Sequence, residues 1–266
     1  MNNRQTGFSA QALALSVGTA AAAEFFAAGV IGSVRAWLGW NFLGALALAL
    51  LSRLVCQSVP GRGQAVACAA LAIWLAAELL QTALQAQRVC RQEFSTMAWI
   101  GLLPLLLWAG WHWKTELWNA PARILWWFVV FGAAVFLLGM AGQLHWERLF
   151  GPEMFQRPTT PVYAEYFAVP FLCGQPQQKK AVRLPLLSFA VQAVLTLEAA
   201  LLFGTRTYPA KELLRAWSLG TFSRLDAFLM LVWLACAMLR VCMLSASIRL
   251  LCHQLPFGKR GVCPDA

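Results

Sequence analysis

Four charged side chains interrupt long apolar stretches of the chain and are the residues best placed to do chemistry: Glu24, Glu78, Glu198 and Arg240. A charge within a membrane-spanning helix costs at least about 2.5 kcal/mol on insertion scales, so each is a candidate for binding a solute or an ion. If the helices carrying the three glutamates run in one direction, their carboxyl groups share one depth, about 9 to 12 Å below one end. Together they would attract an ammonium group or a cation. The alternative is that each carboxyl group is neutral and hydrogen-bonded to a neighbouring helix.

Arg240 needs an acidic partner if it lies within a membrane. One helix face is marked by residues at seven-residue spacing: Asp226, Trp233, Arg240 and Ser247. Asp226 is about 21 Å from Arg240 along the helix axis and cannot reach it. The sequence therefore favours Glu78 or Glu198 as the partner of Arg240.

No pattern of a known catalytic centre occurs in the chain. It contains no H-E-x-x-H, no G-x-S-x-G and no Walker loop, and its three histidines are far apart. Its eight cysteines form no C-x-x-C pair, and those nearest the C-terminus have no histidine at ligand spacing. We therefore predict that the protein is not an enzyme and binds no cofactor or metal.

The composition indicates a protein whose solvent is lipid. Of the 266 residues, 60% are hydrophobic and 12% charged, whereas a soluble domain is about half apolar and roughly a quarter charged. This excludes a soluble globular enzyme, which needs charged faces to cover its core. The net charge is +10, but the basic residues are scattered singly between apolar runs, as is typical of membrane flanks. We therefore expect the lipid bilayer, and not nucleic acid, as the partner of this chain.

Hydropathy predicts the elements that position the charged residues. A bilayer core about 30 Å thick requires helices of roughly 20 apolar residues. Seven stretches are clear: residues 8–31, 36–55, 63–86, 97–113, 121–141, 184–204 and 225–251. A cleaved leader is an alternative for the first stretch, but the apolar run resumes after Glu24.

An eighth crossing is predicted at residues 160–174, although this stretch is short and contains Pro161 and Pro170. Such a composition indicates a broken helix, of the kind whose unwound backbone lines the cavities of transporters. The alternative is a re-entrant or interfacial loop. Basic residues are too evenly divided between the two sides to decide the topology. With eight crossings, residues 1–255 form a single all-α membrane domain, followed by a polar tail at 256–266.

The C-terminal third carries the most distinctive pattern. Tyr208-Pro209 is followed by Leu219-Gly220-Thr221-Phe222-Ser223-Arg224-Leu225-Asp226-Ala227-Phe228, and then by Trp233 in a long apolar helix. This region resembles the signature of the endospore germination permeases, the B subunits of GerA-type nutrient receptors, within the amino acid/polyamine/organocation transporter superfamily. Gln11 before an apolar run with Gly18, Arg123 at the start of the fifth span, and the loop at residues 145–149 agree in order and spacing. The resemblance covers residues 5–254.

The resemblance implies a fold of two inverted five-helix repeats. The substrate would lie near the membrane midplane, between a discontinuous first helix and a discontinuous sixth helix. On this chain those positions are Gly18 and Thr19 in the first helix, and Tyr163, Phe167 and Pro170 in the broken segment. Family members continue through two more spans after the position of Leu255, so the second repeat is expected to be incomplete.

The function implied is that of a germinant receptor subunit in the spore inner membrane. It would sense a small nutrient such as an amino acid and signal to the A and C subunits of the receptor. A second hypothesis is a secondary transporter of amino acids or polyamines in the cell membrane, driven by a proton or cation bound at Glu24, Glu78 or Glu198. A third is a structural subunit of a membrane complex that has lost binding altogether.

Overall fold

The computed structural model describes residues 7–28, 34–58, 64–95, 98–140, 142, 144–147, 160–203 and 225–255. Throughout these residues the regular structure is helical and no strand occurs, which confirms the all-α prediction. The helices are α1 (Ala10–Ala28), α2 (Val34–Ser58), α3 (Gln64–Glu93), α4 (Ala98–His112), a 3-10 turn (Thr115–Trp118), α5 (Asn119–Met140), α6 (Glu165–Leu172), α7 (Gln175–Ala181), α8 (Leu184–Phe203) and α9 (Leu225–His253).

Within the described ranges, five helical stretches are long and apolar enough to cross a membrane: Val34–Gln57, Gln64–Gln92, Thr115–Gly139, Gln177–Leu202 and Phe228–His253. Two further apolar helices are shorter, at Ala10–Phe26 and Trp99–His112. The outer surface of the bundle exposes large apolar side chains such as Ile73, Phe131 and Leu138, which a surface facing water would rarely do. These features are compatible with an integral membrane protein.

The ends of α3 and α4 have local causes. Beyond α3, Ser95 adopts a left-handed conformation with φ of 50°, a common way to end a helix. At the end of α4, Arg249 of α9 donates to the carbonyl oxygens of Trp111 and, at 2.8 Å, Trp113. These last carbonyls have no partner within their own helix, so a basic side chain stabilises them.

Helix α9 is central to the bundle and packs against α3, α4 and α1, while α1 also packs against α5 and α8. Small residues allow the close approach of α4 to α9. A Cβ atom at Gly110 would overlap the backbone of Cys242, and Ser245 donates to the carbonyl of Leu107 at 3.1 Å. Close helix contact through small and hydroxyl side chains is typical of membrane bundles, because lipid provides no hydrophobic drive between helices.

The segment before α8 runs through the interior of this bundle. Thr160 donates to the side chain of Asn41 in the first half of α2 at 3.0 Å. At the other end of the segment, the carbonyl of Leu172 accepts a hydrogen bond of 2.9 Å from the backbone N–H of Phe8, which lies just before α1. Residues 160–163 have no regular structure, and α6 has eight residues, which makes it about 12 Å long. This broken segment, residues 160–172, is thus irregular chain followed by a short helix, and its crossing of the membrane stays a prediction.

Pro170 explains how α6 is held against α2. A proline has no N–H and leaves unpaired the carbonyl four residues earlier in a helix, here that of Tyr166. Ser52 of α2 donates its hydroxyl to this carbonyl at 2.7 Å. The proline thus creates a free acceptor within the bundle, and a buried serine on the neighbouring helix satisfies it.

The predicted discontinuity of the first helix is wrong. Helix α1 runs unbroken from Ala10 to Ala28, through Gly18 and Thr19. A single glycine in a helix interior costs about 1 kcal/mol, and α1 is otherwise rich in alanine, the best helix former. Packing of its alanine face against α5, α8 and α9 more than offsets such a cost. The first helix therefore lacks the interruption that the resemblance implies.

Candidate functional site

The centre of the candidate site is Arg240, in the middle of α9 and 1% exposed. Its Nη2 atom is 2.8 Å from Glu78 Oε2 and 3.1 Å from Glu165 Oε1. The ion pair with Glu78 confirms one of the two partners expected from the sequence. Glu165, at the start of α6, is a second partner that the sequence analysis did not identify.

The other donors of Arg240 join it to two more parts of the bundle. Nη1 donates to the backbone carbonyl of Ser16 in α1, and Nε donates to Thr82 Oγ1 in α3 at 3.2 Å. The guanidinium also lies over the ring of Tyr163, 5.8 Å from its centroid, at a distance where a cation is attracted to an aromatic face. Arg240 therefore ties α9 to α1, α3 and the broken segment.

The two carboxyl groups that bind Arg240 also bind neutral donors. Ser16 donates its hydroxyl to Glu165 Oε1 at 3.0 Å, and the backbone N–H of Ala164 donates to Glu78 Oε1 at 2.6 Å. Ala164 directly precedes α6, where N–H groups have no partner within the helix and the dipole favours negative charge. Glu78 thus caps α6 from α3, and this contact fixes the broken segment against the bundle.

Glu24 of α1 forms the second part of the site. Tyr163 donates its hydroxyl to Glu24 Oε2 at 2.8 Å. Gln192 of α8 lies 3.4 Å from the same oxygen and 3.4 Å from the carbonyl of Ala21. Tyr163 therefore bridges the two parts, because its hydroxyl binds Glu24 while its ring lies beneath Arg240.

A cavity of about 70 Å³ opens between these groups. It is lined by Ala20, Glu24, Trp74, Glu78, Gln81, Thr82, Gln85, Val162, Tyr163 and Arg240. One water molecule needs roughly 10 to 15 Å³ of such space, so the cavity holds a few waters or the charged end of a small solute. Its lining carries two carboxyl groups and one guanidinium, and carboxyl oxygens are suitable acceptors for an ammonium group or ligands for a cation.

Three of the residues predicted to bind substrate line this cavity: Glu24, Glu78 and Tyr163. Phe167 packs beside it, with its ring centroid 6.0 Å from that of Trp74. Pro170 does not line it, and its carbonyl is 3.3 Å from Gln178 Nε2. The structure therefore brings only part of the predicted set together.

The two predicted residues of α1 contribute no free polar group. The hydroxyl of Thr19 donates to the carbonyl of Leu15 at 2.7 Å, within its own helix. The carbonyl of Thr19 accepts from Trp233 Nε1 at 3.4 Å. A Cβ atom at Gly18 would meet nothing within 4 Å. Because α1 is unbroken here, its backbone groups remain committed to the helix.

Glu198 does not join the other two glutamates. It is buried in α8, and neither of its oxygens has a hydrogen-bond partner among the residues that the structure describes. It lies six residues beyond Gln192, which is about 9 Å along the helix axis from the residue that contacts Glu24. The expected common depth of three carboxyl groups is wrong for Glu198, because the ends of apolar runs do not mark one level in the bundle.

The signature residues are spread over the molecule. Arg123 is exposed near the start of α5, whereas Trp233 and Arg240 point into the bundle and contact α1. Arg224 lies outside the described residues, and so does the side chain of Asp226. The polar tail at 256–266 lies outside them as well.

Sequence reasoning missed Glu165, Ser16 and Gln192. Glu165 carried a usable signal, because an acidic residue within a segment predicted to cross the membrane is a candidate by the same rule as Glu24. Ser16 and Gln192 are small or neutral polar residues in apolar helices and carry no such signal.

Comparison with family models, with curated proteins and with solved structures finds no match for this chain. Within the described ranges, no group of three or more His, Cys, Asp or Glu side chains is arranged to hold a metal ion.

Proposed function

We propose that the protein is a permease-type membrane subunit that binds a small nutrient in the cavity between Glu24, Glu78 and Tyr163. The observation that carries this proposal is a polar cavity beside an unwound segment, enclosed by helices whose outer faces are apolar. Following the sequence resemblance, the subunit would belong to a spore germinant receptor in the spore inner membrane, with an amino acid as the first candidate ligand.

In this proposal the chain crosses the bilayer eight times, through α1 to α5, the segment 160–172, α8 and α9. Contacts between helix ends support alternating directions. Asn119 at the start of α5 donates to the carbonyl of Gly7, before α1, at 3.1 Å. The N–H of His145, beyond α5, donates to Leu201 near the end of α8 at 3.2 Å.

The end of α9 lies near the start of α3, since Cys68 Sγ is 3.6 Å from Gln254 Oε1. Eight crossings place both termini on one side of the membrane. Labelling Cys263 in intact and opened cells, after replacement of the other cysteines, tests this arrangement against a marker at the N-terminus. Termini on opposite sides would contradict eight crossings.

The inverted-repeat fold that we propose would have one discontinuous element, the segment at residues 160–172, instead of the two that the resemblance implies. Residues 160–163 give it unwound backbone beside the cavity, and Tyr163 and Ala164 connect this backbone to Glu24 and Glu78. A solute bound between the two carboxyl groups would change the contacts of this segment first. The segment is also held to α2 through Ser52. Its movement on solute binding would therefore shift α2 and change the outer surface that contacts the A and C subunits.

Ligand-induced stabilisation tests the proposal directly. Purified protein in nanodiscs is heated in the presence of amino acids, sugars and nucleosides, one class at a time. A ligand at 100 times its Kd adds about 2.7 kcal/mol of stability, which raises Tm measurably. Glu24→Gln and Tyr163→Phe should abolish the increase, while Glu198→Gln, a buried glutamate outside the cavity, should retain it. No stabilisation by any class, or an increase unaffected by Glu24→Gln, would contradict nutrient binding at this site.

A second candidate function is secondary transport of amino acids or polyamines. The two carboxyl groups that line the cavity favour it, because a proton or cation bound there can couple a gradient to solute movement. Uptake into proteoliposomes that requires a proton or sodium gradient would support transport. Binding without flux would leave the receptor role as the better description.

A further inference from the structure

Two buried carboxyl groups, those of Glu78 and Glu165, share a single guanidinium, that of Arg240. Both carboxyl groups contact the same nitrogen, Nη2 of Arg240. Exposure of their side chains is 8% and 1%, and that of Arg240 is 1%. Two ionised carboxylates with one guanidinium would leave a net negative charge in the interior, where water cannot solvate it.

In the part of the chain that the structure describes, the groups around the pair are neutral or acidic. The remaining donors to the pair are neutral, namely the hydroxyl of Ser16 and the N–H of Ala164. From α1 the nearest titratable group is Glu24, which would add negative charge. From the broken segment and α8, the groups are the hydroxyls of Tyr163 and Tyr166, the latter paired with Ser188. Among the described residues, Arg240 is the one basic side chain that contacts the pair.

We infer that Glu78 and Glu165 bind one proton between them, forming a buried proton-binding site that opens on the cavity through Glu78. With one proton bound, the pair carries a single negative charge, which Arg240 balances. Adjacent carboxyl groups commonly titrate as such a unit, because two like charges in contact cannot both be stable. Glu78 lines the cavity and Glu165 does not, so the proton enters and leaves by way of Glu78.

This site stands apart from the nutrient proposal, since its ligand is a proton and no solute is needed to observe it. Infrared spectroscopy of the purified protein at neutral pH detects the carbonyl stretch of protonated carboxyl groups, which carboxylates lack. We expect wild-type protein to have such a band. Glu78→Gln and Glu165→Gln should each reduce it by one carboxyl group, because the remaining glutamate ionises against Arg240.

Glu116→Gln is the matched control, since Glu116 is exposed in the turn before α5 and its substitution should leave the band unchanged. A band of equal area in wild type and Glu78→Gln would overturn the inference. A smaller band in Glu78→Gln with an unchanged band in Glu165→Gln would show that the two carboxyl groups do not share the proton. If either variant fails to fold, titration of the double variant Glu24→Gln/Glu198→Gln decides the matter, because it removes the other two glutamates that the structure describes inside the bundle. A protonated band at neutral pH that disappears at alkaline pH supports the site, and its absence at neutral pH refutes it.

Discussion

Glu78 and Glu198 are the same residue type in two apolar helices of the bundle, and both are buried. Glu78 binds Arg240 and caps α6, whereas the carboxyl group of Glu198 has no hydrogen-bond partner within the described part of the chain. The difference comes from the unwound segment, which brings Ala164 and Glu165 to α3 but does not reach the position of Glu198 on α8. Burial of a glutamate in an apolar helix is therefore not sufficient to form a binding site. A site forms where a neighbouring element brings polar partners to the carboxyl group.

The largest loss of stability is expected when the cation, Arg240, is removed. Arg240→Leu leaves Glu78 and Glu165 buried without a counter-ion, and breaking a buried pair costs about 3 to 5 kcal/mol. We expect the variant to lose most of its folded yield in size-exclusion chromatography. Normal yield and unfolding temperature would show that Arg240 does not hold the broken segment in place.

A smaller loss is expected from Ser52→Ala, because the carbonyl of Tyr166 then has no donor. An unsatisfied buried acceptor costs about 1 to 3 kcal/mol, which should lower the unfolding temperature. The control is Ser247→Ala, since Ser247 is also buried but its hydroxyl donates to the carbonyl of Met243 within its own helix. Equal effects of the two substitutions would contradict the role assigned to Ser52 in holding α6.

Tyr163→Phe removes the hydroxyl that binds Glu24 while keeping the ring beneath Arg240. A hydrogen bond contributes about 0.5 to 1.5 kcal/mol with a neutral acceptor and about 1.5 to 3 kcal/mol with a charged one, and partial exposure of Glu24 places the expected loss at the lower end of this range. Thermal unfolding of this variant should be compared with Tyr166→Phe, whose hydroxyl pairs with Ser188. If Tyr163→Phe unfolds at the wild-type temperature, the bridge between Glu24 and Arg240 has no energetic importance.

The smallest effect is expected at Glu198. Replacing an unpartnered carboxyl group by the isosteric neutral amide in Glu198→Gln should change the free energy of unfolding by less than about 1 kcal/mol. Denaturation of the purified variant measures this change. A large destabilisation would mean that Glu198 is ionised and paired, and the contrast with Glu78 would disappear.

The amount that sequence could predict differs between the two regions. The chemistry of Arg240 was sufficient to predict an acidic partner and to limit the candidates to Glu78 and Glu198, because a buried arginine requires an acid and few acids exist in the spans. The position of Glu198 relative to Glu24 was not predictable from the lengths of apolar runs. Helix α3 continues to Glu93, seven residues past the predicted end of its span, so span ends carry little information on depth.

The irregular backbone at residues 160–163 and the unbroken helix α1 show the same division between local sequence and packing. Pro161 and Pro170 remove backbone donors whatever their surroundings, so a departure from a regular long helix within residues 160–174 was predictable from the sequence. Gly18 only weakens a helix, and the packing of α1 against α8 and α9 then decides whether the helix continues.

The sequence by itself determined the helical character of the described residues, their apolar outer surface, the irregular backbone around Pro161 and the need of Arg240 for an acid, because each follows from the chemistry of single residues or short stretches. Only the tertiary structure decided which acids meet. Glu165 and Ser16 are 149 residues apart, and Arg240 is 162 residues from Glu78. Which helix faces pack together depends on the shapes of many side chains at once, and hydropathy along the chain does not contain that information.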